Sequence, residues 1–224
     1  MRALFITGTG TDIGKTYVSA AYAKYMHDHK FNIAYYKAAA SGSKDISSSD
    51  GGYVKEVAKL NQEESSLLSY LYQDPLSPHL AARKEKNFAS LEKIKKDFNA
   101  LKNYDYVLCE GAGGIICPLV YEDGKKILYE DVIKALNLSV VVVSDAGLGT
   151  INHTVLTLNY LKDLNIKVKG VILNRYDKEN PMHKDNKFMI EQLGHVKVIA
   201  LLGQNEEEFT LLDKPLETYF DLGE

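Results

Sequence analysis

Short runs of apolar residues alternate along the chain with stretches whose apolar positions recur every three to four residues. β-branched and aromatic runs predict strands at 4–7, 32–37, 106–109, 138–143, 168–173 and 196–202. Helical spacing predicts helices that begin at Lys15 and that cover residues around 91–101 and 151–158. The run 138–143 is fully apolar, as in strands buried on both faces of a parallel sheet.

This alternation predicts the fold class. Strands joined through helices form βαβ crossovers, so we expect one P-loop-like α/β domain over residues 1–224, a doubly wound, mostly parallel sheet with helices on both faces. The small polar residues from Ala39 to Gly52 predict a long loop. Asp123-Gly124 predicts a tight turn between two short extended segments. The acidic run 206–208 with Phe209 favours a short helix.

Composition excludes several classes of protein. The chain has 27 Lys and Arg against 30 Asp and Glu, a formal net charge of −3, which argues against a dedicated nucleic-acid binder. The apolar stretch 3–6 is too short for a signal peptide, and the longest apolar run is too short to cross a bilayer. Cys109 and Cys117 have no partners at metal-binding spacing. We therefore expect a cytoplasmic protein that binds neither membrane nor nucleic acid.

The strongest chemical motif is GTGTDIGKT, Gly8 to Thr16, between the first strand and the first helix. Its last three residues match the end of a phosphate-binding loop, where backbone N–H groups at a helix N-terminus surround phosphate oxygens. Lys15 would reach the β- and γ-phosphates, and the Thr16 hydroxyl would bind Mg²⁺. Five residues rather than the usual four separate Gly8 from Gly14, so the alternative is a glycine turn with an incidental lysine.

A second candidate loop follows the strand at 106–109. Glu110 is followed there by Gly-Ala-Gly-Gly. Ligands of open parallel sheets bind at the carboxyl ends of the strands, so this loop is expected near the phosphate loop. A carboxylate in that position can hold Mg²⁺, and glycines let the backbone approach phosphate. The alternative is a solvated glutamate at a strand end.

Taken together, these segments resemble the dethiobiotin synthetase family. The resemblance rests on GTDIGKT, YKAAASGS, SD ending at Asp50, SPH with His79, EGAGG and GLGTINH, which occur in the family's order between residue 4 and about residue 175. It implies an ATP-dependent ligase of biotin biosynthesis. Such an enzyme carboxylates 7,8-diaminononanoate with CO₂, phosphorylates the carbamate to a mixed anhydride, and closes the ureido ring with release of ADP and phosphate.

The resemblance also implies roles for individual residues. Lys15, Lys37 and Thr11 would be catalytic, the two lysines by stabilising negative charge on the phosphoryl group and the carbamate. Thr16, Asp50 and Glu110 would bind Mg²⁺. The nucleotide would contact Asp12, Ile13, Gly14, Lys15, Thr16, Tyr17, Asp50, Glu110, Gly111, Ala112, Gly113, Asn174 and Arg175, and the substrate would contact Thr11, Lys37, Ser41, Gly149, Thr150 and Asn152.

Simpler interpretations exist for some of these residues. Lys37 alone would be a surface lysine at a strand end, and Asp50 alone would be a helix N-cap. The segment 149–152 opens a predicted helix, whose N–H groups either bind the substrate carboxylate or are simply capped. His79 is expected to be structural.

The resemblance is weakest at the nucleotide base and at the subunit interface. The family follows Leu-Leu-Gly with a proline-containing segment over the base, whereas this chain has QNEEE at 204–208, which predicts relaxed base recognition. NRYD at 174–177 imitates a guanine-reading motif in which Asp177 would bind guanine, so GTP or another nucleotide beside ATP is a hypothesis. The family also implies a homodimer, in which Phe188 replaces a tyrosine of the partner subunit.

Two other functions fit a phosphate loop on this fold. A partitioning-type ATPase switch carries a second lysine early in the loop, where this chain has Gly10. A GTPase-like switch needs a threonine in a mobile loop, and the segment 39–52 offers no clear candidate. Both rank below the synthetase.

Overall fold

The structure, a computed structural model, describes residues 1–222 and is organised by one nine-stranded sheet and one two-stranded sheet. The strands are β1 (Arg2–Gly8), β2 (Ile33–Ser41), β3 (Leu68–Tyr72), β4 (Tyr106–Glu110), β5 (Pro118–Glu122), β6 (Lys125–Leu128), β7 (Val140–Asp145), β8 (Val168–Asn174), β9 (Val198–Leu202), β10 (Thr210–Leu211) and β11 (Asp221–Leu222). The helices are α1 (Lys15–Asp28), α2 (Asp50–Ala58), α3 (Pro78–Glu85), α4 (Leu91–Asn99), α5 (Tyr129–Ala135), α6 (Thr150–Asp163) and α7 (Pro181–Gly194).

The large sheet confirms the predicted fold class. Its order is β10-β9-β8-β7-β1-β4-β2-β3, and the seven longer strands from β9 to β3 run parallel. The short strands β10 and β11 pair antiparallel with β9 and β1. The predicted turn at Asp123-Gly124 joins β5 to β6 in the small sheet. No helix within residues 1–222 has the length and apolarity to cross a bilayer.

Side chains of the parallel strands alternate between two cores, because neighbouring residues of a strand point to opposite faces. Phe5 and Tyr36 point to the face covered by α3–α7, and Ile6 and Tyr35 point to the face covered by α1 and α2. Burial on both faces explains why β7 begins with four consecutive valines. Because β1, β4 and β2 are adjacent and parallel, their carboxyl ends meet at one edge of the sheet.

The long loop predicted at 39–52 is wrong at both ends. Residues 39–41 continue β2 and pair with β3, which compensates the low strand propensity of alanine. At the other end α2 begins at Asp50, with Ser49 as its N-cap, so Asp50 is a helical residue and not the cap. A side chain at Gly52 would overlap the Ser47 carbonyl, so glycine allows the helix to start against this loop.

The short helix predicted at 206–209 is also wrong. The backbone turns at 203–206, where the Glu206 carboxylate accepts a hydrogen bond from the Gly203 N–H at 3.2 Å. The chain then enters β10, which pairs with Ala200 and Leu201 of β9. Strand pairing and this local turn together outweigh the intrinsic helix propensity of glutamate.

Candidate active site

A cleft of about 940 Å³ opens at the carboxyl ends of β1, β2 and β4. The sheet register places the Lys37 backbone opposite that of Glu110, and Ile6 on the other side of Glu110, two residues before the phosphate loop begins. Of the residues predicted from the sequence, the cleft is lined by Thr11, Asp12, Gly14, Lys15, Thr16, Lys37, Ser41, Asp50, Glu110, Ala112, Gly113 and Arg175.

The loop from Gly8 to Thr16 has the geometry of an anion cradle. Gly14 adopts a left-handed conformation with φ of 87° and forms the N-cap of α1, so that the helix begins at Lys15. A side chain at Gly14 would overlap the Asn174 amide, which explains glycine at this position. The N-terminus of α1, with its unpaired N–H groups and positive dipole end, therefore faces the cleft.

Lys15 is a buried cation without an ionic partner in residues 1–222. Its ammonium donates to the Gly10 carbonyl at 2.8 Å and forms no ion pair in that part of the chain. Desolvation by burial lowers the pKa of Lys15, and the charge of nearby Glu110 opposes that effect. A buried cation of this kind is stabilised by a bound anion, and phosphate is the anion that the surrounding loop geometry favours.

Lys37 lies between two carboxylates at the floor of the cleft. Its ammonium is 2.5 Å from Asp50 Oδ2 and 2.7 Å from Glu110 Oε1. The Thr16 hydroxyl donates to the same Glu110 oxygen at 2.8 Å. Burial alone would lower the pKa of Lys37, but Glu110 and Asp50 outweigh burial and raise it, so the ammonium stays charged at neutral pH. Lys37 is therefore not the surface lysine of the simpler interpretation.

Thr16, Asp50 and Glu110 form an oxygen-only donor set that fits Mg²⁺. Magnesium usually takes one or two protein carboxylates and completes its shell with water and substrate phosphates. Within residues 1–222 there is no cluster of three or more His, Cys, Asp or Glu that could hold a metal ion. Lys37 already lies in the negative potential that Asp50 and Glu110 create. The same potential would attract a divalent cation.

Sequence reasoning missed two residues of this site. The buried Tyr35 hydroxyl donates to Glu110 Oε2 at 3.1 Å. Tyr35 precedes Lys37 by two residues in β2, so strand periodicity, which places both on one face, was the available signal. Cys117 also lines the cleft, and burial raises its pKa to about 11 although Lys15 and Lys37 act in the opposite direction.

Several of the predicted nucleotide contacts line a second, smaller pocket beside the cleft. Tyr17, Asn174 and Arg175 line it together with Gly14 and the segment 203–205. The Asn174 amide donates to the Ile13 carbonyl at 2.9 Å, and its Oδ1 is buried without a hydrogen-bond partner in residues 1–222. Because Asn174 lines the pocket and keeps an unused acceptor, it fits a ligand that carries an N–H donor.

The remaining predicted residues have mainly structural contacts. Arg175 ties the phosphate loop to the end of β7, because it donates to the Asp12 carbonyl and to the Asp145 carboxylate, both at 2.7 Å. The Gly111 N–H donates to the Ile6 carbonyl at 2.9 Å. Ser41 lines the cleft while its hydroxyl donates to the Leu76 carbonyl at 2.7 Å.

The candidate carboxylate site at the start of α6 lies outside the cleft lining. Gly149 is its left-handed N-cap, with φ of 89°, and Asn152 is exposed. The Thr150 hydroxyl points inward to Ser144 Oγ at 2.8 Å and to the Asp145 carbonyl. A ligand at this end would therefore meet backbone N–H groups of the helix rather than the Thr150 hydroxyl.

His79, expected to be structural, and Asp177, the hypothesised guanine contact, both lie outside the linings of the cleft and of the smaller pocket. His79 is the second residue of α3, and its ring Nδ1 lies 3.1 Å from the Ser77 hydroxyl. Asp177 accepts the Glu179 N–H at 2.9 Å and does not line the smaller pocket, so its carboxylate is not placed to read a base there.

Sequence comparisons relate the chain to named proteins. A family model described as an AAA domain matches residues 2–208. The chain is 50% identical over 221 residues to an ATP-dependent dethiobiotin synthetase of Brachyspira hyodysenteriae, covering 98% of this chain and 99% of that protein. It is 43% identical over 211 residues to a Clostridium perfringens protein of the same name, with 92% of both chains covered.

Comparison with solved structures shows the fold alone. The chain resembles a chain of the MinC:MinD cell division protein complex of Aquifex aeolicus, with a TM-score of 0.59, 18% identity and coverage of 92% of this chain and 82% of that one. A ParA family ATPase of Chlorobium tepidum gives a TM-score of 0.57 at 16% identity, covering 92% of this chain and 86% of that chain. Identities this low carry no statement about function.

Proposed function

Because the chain belongs to the family of ATP-dependent dethiobiotin synthetases, we propose that the cleft at β1, β2 and β4 binds ATP beside a diamine substrate. As a member of that family the chain is an ATP-dependent ligase of biotin biosynthesis. The observation that carries the assignment of the cleft is the buried Lys15, which has no ionic partner in residues 1–222, next to Lys37, Thr16 and Glu110.

The proposed chemistry divides between the two lysines. Lys15 holds the β- and γ-phosphates together with the N–H groups that begin α1. Lys37, which remains charged, stabilises the carbamate formed from 7,8-diaminononanoate and CO₂ and the negative charge that develops during phosphoryl transfer. Thr11 and Ser41 line the same cleft and orient the diamine. The carbamate oxygen takes the γ-phosphoryl group of ATP and ADP leaves. The second amine then attacks the carbonyl carbon of this mixed anhydride, and the cyclic urea forms with release of phosphate and of the amine proton to solvent.

Thr16, Asp50 and Glu110 are proposed to hold Mg²⁺, which when bound neutralises phosphate charge. Asp50 and Glu110 are also the carboxylates that Lys37 contacts, so a bound Mg²⁺ would compete with the Lys37 ammonium for them, while the anionic phosphates would not. The ammonium would then be free to turn from the carboxylates to the carbamate. Such a movement of Lys37 would make binding of the carbamate depend on prior binding of nucleotide and Mg²⁺.

Coupled turnover tests this function. Purified protein is incubated with ATP, Mg²⁺, 7,8-diaminononanoate and bicarbonate, and both phosphate release and dethiobiotin are measured. We expect phosphate and dethiobiotin in equal amounts, and neither when any one component is omitted. Phosphate release that needs no diamine but responds to DNA, lipid or another protein would favour the nucleotide-switch alternative instead.

We propose that the base of the nucleotide occupies the smaller pocket, with Asn174 Oδ1 as its acceptor. The exocyclic amine of adenine supplies the N–H donor that this buried oxygen lacks in residues 1–222. Guanine also carries N–H donors, so GTP would serve beside ATP, although Asp177 is not placed to select it. Absence of turnover with saturating GTP would reject use of GTP.

We propose a homodimer that forms through the apolar surface of α6, α7 and the loop before α6. Leu148 is 92% exposed and Phe188 is 55% exposed, and the Asn186 amide holds the two regions together through the Ala146 carbonyl at 2.9 Å. A patch of this kind is typical of an interaction surface. Light scattering should give a dimer mass, and Phe188→Asp should lower it; a wild-type monomer at micromolar concentration would contradict the proposal.

A further inference from the structure

The Glu110 carboxylate is held from two sides. Oε1 accepts hydrogen bonds from Thr16 at 2.8 Å and from Lys37 at 2.7 Å. Oε2 accepts one hydrogen bond within residues 1–222, from the Tyr35 hydroxyl at 3.1 Å. Glu110 and Tyr35 both have 0% of their surface exposed, so solvent cannot take the place of the tyrosine without rearrangement.

We propose that Tyr35 is a positioning residue for the metal and nucleotide site, a role that rests on the proposed function of Glu110 as a Mg²⁺ ligand. Tyr35 fixes the rotation of the carboxylate about its last side-chain bond. Oε1 is thereby directed toward the Thr16 hydroxyl, where the phosphate loop and the metal would meet. The hydroxyl also satisfies the oxygen that faces away from the metal, as partners of ligating carboxylates do in metal sites.

The surroundings of Tyr35 support orientation rather than packing as the role of its hydroxyl. The aromatic ring packs in the core under α1 and α2, a contact that phenylalanine can also make. The Tyr35 backbone N–H and carbonyl are paired separately with the Gln62 side chain at 2.8 and 2.9 Å. The hydroxyl is therefore the part of Tyr35 that reaches the candidate site.

Tyr36 provides a matched control on the same strand. It is equally buried, and its hydroxyl bonds Ser69 at 2.6 Å and the Ile94 carbonyl at 3.1 Å on the opposite face of the sheet. Tyr35→Phe and Tyr36→Phe thus each remove one buried hydroxyl from β2. Only Tyr35→Phe removes a hydrogen bond to Glu110.

The experiment measures metal affinity without turnover. Mg²⁺ is titrated calorimetrically into each protein saturated with a non-hydrolysable ATP analogue, and the Mg²⁺ dependence of kcat and KM is measured separately. We expect Tyr35→Phe to weaken Mg²⁺ binding by about 10-fold to 100-fold, the range typical of lost outer-shell partners, and Tyr36→Phe to change it less than about twofold. With Tyr35→Phe, saturating Mg²⁺ should restore most of kcat.

Two outcomes would overturn the proposal at different points. Equal Mg²⁺ affinities for Tyr35→Phe and Tyr36→Phe would overturn the role of Tyr35 while leaving the metal site intact. Unchanged Mg²⁺ binding in Glu110→Gln would instead overturn the metal site itself, and the positioning role with it. If Tyr35→Phe does not fold, Tyr35→Met removes the hydroxyl with a flexible apolar side chain and is judged by the same titration.

Discussion

Replacing Lys37 with methionine removes the cation that compensates two carboxylates before any nucleotide binds. Methionine keeps most of the side-chain volume, so the change isolates the charge. Glu110 has no exposed surface and would be left as an uncompensated buried anion, whereas the Asp50 side chain is 43% exposed and remains hydrated. The loss of folding stability in Lys37→Met should therefore come mainly from the broken ion pair with Glu110.

The magnitude follows from this difference in burial. Breaking a buried ion pair by removing one partner costs about 3–5 kcal/mol, while a solvent-exposed pair contributes about 0–1 kcal/mol. We expect Lys37→Met to lower the free energy of unfolding by about 3–5 kcal/mol, which for a chain of this length lowers Tm by roughly 6–20 °C. Removing the second charge as well, in Lys37→Met/Glu110→Gln, should recover much of this loss.

Urea and thermal unfolding of metal-free and nucleotide-free protein provide the assay. Lys93→Met is the control, because Lys93 forms an exposed pair with Asp97 at 2.5 Å on α4 and should change stability by less than about 1 kcal/mol. Mg²⁺ with a non-hydrolysable ATP analogue should restore more stability to Lys37→Met than to Lys93→Met. A Lys37→Met protein as stable as Lys93→Met would refute the reasoning.

The same ion pair predicts a pH dependence with a definite sign. The pKa of Lys37 is raised in the folded protein, so the folded state binds its proton more tightly than the unfolded state does. The resulting stability is fully present below the unfolded pKa of about 10.5 and is lost as pH rises through the higher folded pKa. Between pH 7 and 9 this contribution should be constant, as unfolding at several pH values can check.

Further predictions concern the phosphate loop and the cleft. Lys15→Ala should abolish coupled turnover and weaken nucleotide binding, whereas Lys24→Ala, at a half-buried position farther along the same helix where Lys24 pairs with Asp28, should leave both unchanged. Gly14→Ala should destabilise the protein by about 1–2 kcal/mol in chemical denaturation, because its φ is positive and a side chain meets the Asn174 amide. With a pKa of about 11, Cys117 should react with iodoacetamide about tenfold faster per pH unit from 7 to 10; a pH-independent rate would contradict this.

The sequence predicted those parts of the site that follow from local motifs and strand alternation. The start of α1 at Lys15 follows from the glycine-rich motif that precedes it, and the position of Glu110 follows from an apolar strand that ends in glycines. Family resemblance added Lys37 and Asp50. The structure brings all four to one cleft, because parallel strands end at a common edge.

What the sequence could not predict depends on contacts between distant segments. Ala39 and Ala40 have little strand propensity, and only their pairing with β3 keeps β2 extended to Ser41. The helix that starts at Asp50 contains two glycines and forms because it packs against α1 and against Leu67 and Leu68, where β3 begins. The contact between Tyr35 and Glu110 joins the neighbouring strands β2 and β4, and it depends on their order and register, which the sequence alone did not determine.

A crystal structure with a non-hydrolysable ATP analogue, Mg²⁺ and 7,8-diaminononanoate tests the central claim most directly. We predict the triphosphate against the loop 8–16 with Lys15 on its phosphate oxygens, the metal beside Thr16 and Glu110, and the Lys37 ammonium turned toward the diamine. A nucleotide bound elsewhere, or a Lys15 side chain directed away from the phosphates, would contradict the account.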